Sequence, residues 1–283
     1  MAGIQERRTT AWETARDRLN WTAINAAVES LALEKKAPDF EIETARKCIF
    51  TALERWLAED LANCRVISVE EPFEDEFKRG FTDVVFEILP EPEDTVFQKH
   101  AGELMGVDWK TSRNTLGSDW RDRYVYSWQG PTYADGLARK YHRTPRLFQY
   151  RGIARSFETK PVLLEVDNPA PSVEAQYGGL RIMRDSLVDA KLPVWPKSMP
   201  SACKSYGREC PYWTDCTEGR EPRYVPEPDK IFSFSSASTF LLCPEKYRRN
   251  LLTGSEDSED TIFGNMVHVG LAEAYKQVQN WGL

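Results

Sequence analysis

Two strand-like stretches that end in opposed charges constrain this chain most. Arg79-Gly80-Phe81-Thr82-Asp83-Val84-Val85-Phe86 and Leu104-Met105-Gly106-Val107-Asp108-Trp109-Lys110 both read as β-strands, with 17 residues of acidic, Pro-containing loop between them. Side chains alternate across a strand, so Asp108 and Lys110 share one face while Val107 and Trp109 occupy the other. Two carboxylates and an amine at the ends of neighbouring strands suit a hard cation such as Mg2+ or Mn2+. Such an ion polarises a phosphate and lowers the pKa of a bound water, and an ammonium beside it can orient that water or offset developing charge. A single D-x-K triplet is more often a solvent-edge salt bridge, so the metal reading depends on what else the chain carries.

The rest of the pattern is largely helical. Trp12, Ala15, Leu19, Ala23, Ala26 and Leu31 recur at helical spacing over 9–34, and Ile42, Ala45, Ile49, Leu53, Trp56, Leu57 and Leu61 do so over 42–62. A strand is expected at 65–69, then the two site strands, a helix over 122–140, a hairpin from 147–154 and 162–166, and a helix over 173–190. A Pro-rich irregular segment fills 191–229, and two helices follow at 235–252 and 261–280. This order describes an α/β domain with a mixed central sheet flanked by helices, its chemistry at one sheet edge.

With 41% apolar residues and nine Trp the chain can build a core, and no apolar run approaches the ~20 residues of a membrane span. The first residues lack the apolar core of a signal peptide, so a cytoplasmic setting without a membrane partner is expected. Six cysteines are too few for a disulfide scaffold and point instead to metal. At net charge -7 the molecule as a whole repels nucleic acid, so any such contact must be local. One stretch qualifies: from Gly136 to Phe157 there is no acidic residue, and Arg139, Lys140, Arg143, Arg146, Tyr150 and Arg151 interleave cations with aromatic rings. Cations neutralise phosphates and rings stack on bases, which suits a single strand; a solvated helix end followed by a charged strand face fits equally well.

Gln129-Gly130-Pro131-Thr132-Tyr133 lies in the helix expected after Lys110, with Gln129 and Tyr133 on one face. Taken in order, Gly80-x-x-Asp83, Asp108-x-Lys110 and Gln129-x-x-x-Tyr133 resemble the PD-(D/E)XK nuclease superfamily, specifically its RecB-like branch, which includes the nuclease domains of RecB and AddB and the nucleases of CRISPR adaptation. The resemblance covers most of the chain. It implies a restriction-endonuclease-like core and metal-dependent cleavage of DNA, usually exonucleolytic and favouring single strands or ends. On that pattern Asp83 and Asp108 hold Mg2+ or Mn2+, Lys110 positions or activates the attacking water, and Gln129 and Tyr133 line the site. The chain has Thr82 where the family often has proline, and Asp108 where it often has glutamate.

Cys203, Cys210 and Cys216 fall in the irregular segment with gaps of six and five residues, a soft ligand set that favours zinc or an iron-sulfur cluster. The family resemblance implies a 4Fe-4S cluster completed by one distant cysteine, here Cys243 before Pro244. The commoner family spacing has a shorter first gap, and zinc is the alternative. Downstream, Gly264-x-x-x-His268 resembles the family helix whose histidine joins the metal site, making His268 the expected third ligand. Cys48 and Cys64 read as buried structural thiols.

Family members begin with the Cys-Pro and G-x-x-x-H helices; here those motifs close the chain. Circular permutation explains this most simply, because one complete motif set is present and none is duplicated; it requires helix 42–62 to lie near the last helix. Exchange of the last helices between two protomers, or the start of a second unit, are the alternatives. The expected organisation is a helical region over 1–64, the nuclease core over 65–190, the Cys-rich loop over 191–230, and completing helices over 231–283. The expected function is a deoxyribonuclease of replication, recombination or repair, working with a helicase or recombination protein and able to form a homo-oligomer. The alternatives are a non-catalytic single-stranded-DNA-binding adaptor of the same fold, and a zinc-stabilised interaction module.

Overall fold

The computed structural model of the protein describes residues 2–167, 169–190, 195, 203, 210–218, 220, 231–253 and 258–281. Most of the expected Cys-rich loop, 191–230, and the acidic connection 254–257 lie outside these residues. The chain forms two compact units, one of residues 1–72, 81–169 and 257–283, the other of 73–80 and 170–256.

The first unit opens with three helices, α1 (Ala2–Arg18), α2 (Trp21–Lys35) and α3 (Asp39–Asn63). The long periodic stretch expected as one helix breaks at Asn20, whose side chain accepts the Ala23 N–H at 3.2 Å and caps α2. Lys36 ends α2 in the left-handed region at φ 55°. Then come β1 (Cys64–Glu74), β2 (Lys78–Ile88), a short α4 (Thr95–Gln98) and β3 (Leu104–Ser112). Two helices, α5 (Ser118–Val125) and α6 (Gln129–Tyr141), stand where one was expected, and β4 (Leu147–Ala154) and β5 (Thr159–Glu165) follow.

The strand order is β1-β2-β3-β4-β5. β2 is antiparallel to β3, β3 parallel to β4, and β4 antiparallel to β5, so the sheet is mixed and open. A parallel step cannot be made by a tight turn, and α5 and α6 supply the crossover from β3 to β4. Every residue of β4 is buried, as befits a strand covered on both faces.

The last helix, α11 (Glu259–Gln279), returns to this unit. Ser258 caps it by accepting the Thr261 N–H at 3.2 Å, and Glu259 and Asp260 place negative charge at the positive end of its dipole. α11 packs on α2, α3 and β3 of its own chain, so helix 39–63 does lie beside the last helix. Its apolar side joins Val84, Phe86, Met105, Val107 and Trp109 in one core on one face of the sheet. On the opposite face Leu137 of α6 packs against Val85 and Leu104. Gly264 lets α11 approach β3 closely: a Cβ there would lie 2.9 Å from the Thr111 hydroxyl.

That core also holds an ion pair. Arg151, 2% exposed, donates to both oxygens of Asp60, at 2.5 Å and 2.7 Å, to Gln149 Oε1 at 2.6 Å and to the Tyr275 hydroxyl at 3.2 Å. Cys48 and Cys64 are buried, and burial pushes the Cys48 thiol up to about 12 and Cys64 higher still.

In the second unit, α7 (Ala170–Asp189), α8 (Trp213–Thr217), β6 (Phe232–Ser233), α9 (Phe234–Leu242) and α10 (Pro244–Thr253) surround a small aromatic core. β6 pairs in parallel with Lys78 and Arg79. Phe232, Phe240 and Tyr247 pack with ring centroids 5.4–5.7 Å apart, and Trp195 stacks on Tyr247 at 6.4 Å. The helix expected over 235–252 breaks at Cys243-Pro244, because proline cannot donate into the preceding turn. Glu245, fully buried, accepts from Arg248 at 2.8 Å, Arg249 at 2.7 Å and the Trp195 N–H at 3.1 Å. Among the described residues no helix is long and apolar enough to cross a membrane.

Candidate active site

The ladder between β2 and β3 runs from Glu87–Leu104 to Val84–Val107, and the next step along the same register would set Asp83 level with Asp108. Beyond the last pair an inward N–H of β3 needs another acceptor. The Asp83 side chain provides it: Oδ2 accepts the Trp109 N–H at 2.6 Å. Its second oxygen, Oδ1, lies 3.6 Å from Nδ1 of His268, which α11 presents one turn after Gly264. Asp83 and His268 side chains keep 15% and 31% of their surface open, so the pair lines a wall that solvent reaches.

Asp108 is 4% exposed. Gln129, at the start of α6, donates its Nε2–H to Oδ1 at 3.4 Å. Lys110 Nζ approaches Oδ2 to 2.5 Å as an ion pair, so this buried oxygen faces a charged partner. Tyr133, one turn after Gln129 and 9% exposed, packs edge-on to Phe148 at 5.9 Å. The structure therefore gathers Asp83, Asp108, Lys110, Gln129, Tyr133 and His268 in one place, from β2, β3, α6 and α11.

Each carboxylate has the same arrangement: one oxygen is held by a neutral N–H and the other is not. The charges follow from the neighbours. Burial pushes Asp83 up, but His268 and Lys110 together with the Trp109 N–H outweigh it and hold the carboxyl below its usual range. Burial dominates at Asp108, with Lys110 pulling down and Asp83 pushing up, and the carboxyl rises to about 6. Burial opposes charge on Lys110, yet Asp108 and Asp83 overcome it and keep the ammonium protonated well beyond neutral pH. Burial likewise disfavours charged His268, and Asp83 outweighs it and raises the imidazole. Burial and the nearby Asp108 push the Tyr133 phenol up to about 12, so it acts as a neutral donor or acceptor.

Among the described residues no three His, Cys, Asp or Glu side chains close on one point as a finished metal cage; Asp83, Asp108 and His268 share a neighbourhood without forming one. In the second unit the Cys210 N–H donates to the Cys203 carbonyl at 2.7 Å, and Cys243 Sγ accepts the Lys246 N–H at 3.4 Å. Burial pushes the Cys203 thiol up, with Cys210 and Cys243 close enough to add to it. Cys216 sits in α8, its N–H bonded to the Tyr212 carbonyl at 2.9 Å.

Two members of the basic stretch expected to meet nucleic acid, Tyr150 and Arg151, are corrected. Arg151 is in the core with Asp60, and Tyr150 is fully buried between Tyr124, at 4.9 Å, and Phe148, at 5.2 Å. The surface cations each face an acid: Arg139 with Asp135 at 3.2 Å, Lys140 with Glu71 at 2.5 Å, Arg143 with Glu87 at 3.0 Å, Arg146 with Asp167 at 3.1 Å. The acids come from elsewhere in the chain, except Asp135 one turn back in α6, so the charge of this acid-free window is partly offset in the fold.

The ion pairs that hold the start of α11 were not legible in the sequence. Arg155 binds Glu41 at 2.6 Å and Asp260 at 3.4 Å, and Arg113 binds Glu259 at 3.0 Å, fastening the start of α11 to α3 and the end of β3. The acidic first turn of α11 was the one available signal. No model of a known protein family matches the chain, and no characterised protein matches it.

Proposed function

We propose that this protein is a divalent-metal-dependent deoxyribonuclease of the RecB-like PD-(D/E)XK type, acting on single-stranded DNA or DNA ends. The observation that carries the reading is the paired state of the two carboxylates. Trp109 N–H and Gln129 Nε2–H each hold one oxygen of Asp83 and Asp108, leaving Asp83 Oδ1 toward His268 and Asp108 Oδ2 toward Lys110. Neutral donors of this kind orient carboxylate ligands. Two hard oxygens and one imidazole fit Mg2+ or Mn2+, with Asp83, Asp108 and His268 as the protein ligands. When bound, the cation supplies Lewis-acid polarisation of a phosphate oxygen and an acidified water.

The chain's own groups divide the remaining work. Lys110 is held protonated, so it orients the attacking water and offsets charge building on phosphoryl oxygens rather than removing a proton. Gln129 fixes the Asp108 rotamer, and Tyr133 closes the wall beside it. For the second unit we propose a 4Fe-4S cluster on Cys203, Cys210, Cys216 and Cys243, with zinc the less favoured occupant. The electrostatic proximity of the Cys203, Cys210 and Cys243 thiols supports a shared soft-metal site. The adaptor reading is weakened, since Tyr150 and Arg151 of the stretch that prompted it are buried.

The test joins binding to turnover. Calorimetric titration with Mn2+ should give a binding event in the wild type that Asp83→Ala and Asp108→Ala lose, and wild-type protein in Mn2+ should cleave single-stranded DNA. Absence of both from folded wild-type protein contradicts the proposal. Anaerobically purified protein should be brown; colourless protein carrying zinc contradicts the cluster.

A further inference from the structure

The aromatic side chains around the site are nearly all used in packing. Trp120 covers Gly152 so closely that a Cβ there would lie 2.4 Å from the indole, and Tyr124 is wedged between Trp120 and Tyr150, each at 4.9 Å. Two rings are not. Phe81, 63% exposed, lies on β2 two residues before Asp83 and therefore on the same strand face. Tyr126, 84% exposed, ends α5 three residues before Gln129.

Neither ring sits on a loose loop. Phe81 is in a strand, and the Tyr126 backbone is tied on both sides: its N–H donates to the Asp122 carbonyl at 3.1 Å, and the Ser127 N–H to that of Tyr124 at 3.2 Å. Ser127 Oγ in turn accepts the Gln129 N–H at 3.1 Å, which connects the Tyr126 turn directly to the residue that holds Asp108. Scattered exposed apolar residues are ordinary. Here, however, β2, which delivers Asp83, and the turn between α5 and α6, which leads into Gln129, each display one ring to water on a hydrogen-bonded backbone.

We propose that Phe81 and Tyr126 are stacking platforms for unpaired bases of a DNA strand whose phosphate lies at Asp83 and Asp108. The choice of ligand rests on the nuclease reading above. A duplex hides its base faces, whereas a single strand offers one to each ring, and stacking tolerates any sequence because every base has a π-face. Aromatic contact also supplies affinity that a chain of net charge -7 can offer without a long positive surface. The two rings are thus positioning residues that set the preference for single strands.

The test is equilibrium binding by fluorescence anisotropy in Ca2+, using an oligothymidylate of about 12 nucleotides, an abasic oligomer of the same length, and a duplex. Wild-type protein should bind the oligothymidylate more tightly than the abasic oligomer. Phe81→Ala and Tyr126→Ala should each weaken oligothymidylate binding roughly 5- to 150-fold and leave the abasic oligomer unchanged, with Phe81→Trp and Tyr126→Phe retaining the preference. Both residues are exposed, so the alanine variants should fold, and circular dichroism checks this. Equal wild-type affinity for the two oligomers, or equal weakening of both by the alanine variants, overturns the proposal. Cleavage assayed separately in Mn2+ distinguishes the two claims: a preserved base preference without cleavage contradicts the nuclease reading alone, and cleavage without a base preference contradicts only the stacking.

Discussion

Removing Asp60 should cost this fold several kcal/mol. Arg151 has 2% of its surface exposed and holds both Asp60 oxygens, at 2.5 Å and 2.7 Å, while the Tyr275 hydroxyl donates to the same carboxylate. Asp60→Ala deletes three charge-assisted bonds and leaves a guanidinium in the core with Gln149 and Tyr275 as its remaining oxygen partners. Breaking one side of a buried pair typically costs about 3–5 kcal/mol, most of it from the stranded charge. For a protein of this size that lowers Tm by roughly 6–20 °C. Asp60→Leu combined with Arg151→Met removes both charges and should return to within about 1 kcal/mol of wild type, because the desolvation cost leaves with them. The assay is urea unfolding of Asp60→Ala and of wild type, Asp60→Leu, Arg151→Met and the double variant, the last four read as a double-mutant cycle; singles that each lose about 3–5 kcal/mol and a double near wild type give a coupling energy of roughly 5–9 kcal/mol. The destabilisation should persist at high salt, since buried charges are poorly screened. A loss below about 1 kcal/mol in Asp60→Ala, or a double variant worse than either single, refutes the reasoning.

Other predictions are more local. Asp108→Asn should raise the thermal stability of the protein in EDTA, since burial holds the wild-type carboxyl above its ordinary range and its charge opposes folding; the same variant should lose the stabilisation Mn2+ gives the wild type. Equal or lower stability in EDTA contradicts this. Glu245 is displaced upward by burial but more strongly downward by Arg248, Arg249 and the Trp195 N–H. Its folded pKa is therefore depressed, and its stabilisation is present above the unfolded value of about 4.3 and lost as pH falls through the folded one. Unfolding of the second unit should steepen below about pH 4 in the wild type, and Glu245→Gln should lack that slope. Gly152→Ala should cost about 1–3 kcal/mol by displacing the Trp120 indole, measured by chemical unfolding with Trp120→Leu as the relieving second change.

The sheet and the site were legible because they are written in local patterns. Val84, Phe86, Val107 and Trp109 face a core and alternate with Asp83, Asp108 and Lys110, and that alternation alone separates the site face from the packed face. The proximity of Gln129 and Tyr133 followed from helical spacing, and the arrival of His268 from motif order rather than from any local rule. What failed was long-range pairing. Arg151 read as a surface cation because its partner, Asp60, lies 91 residues away in a helix whose apolar periodicity hides two buried acids, Glu41 and Asp60. Arg143 and Lys140 were balanced in the same way by Glu87 and Glu71. Helix breaks were missed where apolar spacing continued across them: at Asn20, at the Tyr126–Trp128 turn and at Cys243-Pro244, where caps and proline override the periodicity.

The central claim is that Asp83, Asp108 and His268 form a divalent-metal site for phosphodiester hydrolysis. Its most direct test is end-labelled single-stranded DNA incubated with wild-type protein and with folded Asp108→Ala, in Mn2+ and in EDTA. Wild-type protein should cleave in Mn2+ and not in EDTA, and Asp108→Ala should cleave under neither condition. Cleavage that persists in Asp108→Ala, or a wild type that leaves the DNA intact in Mn2+, contradicts it.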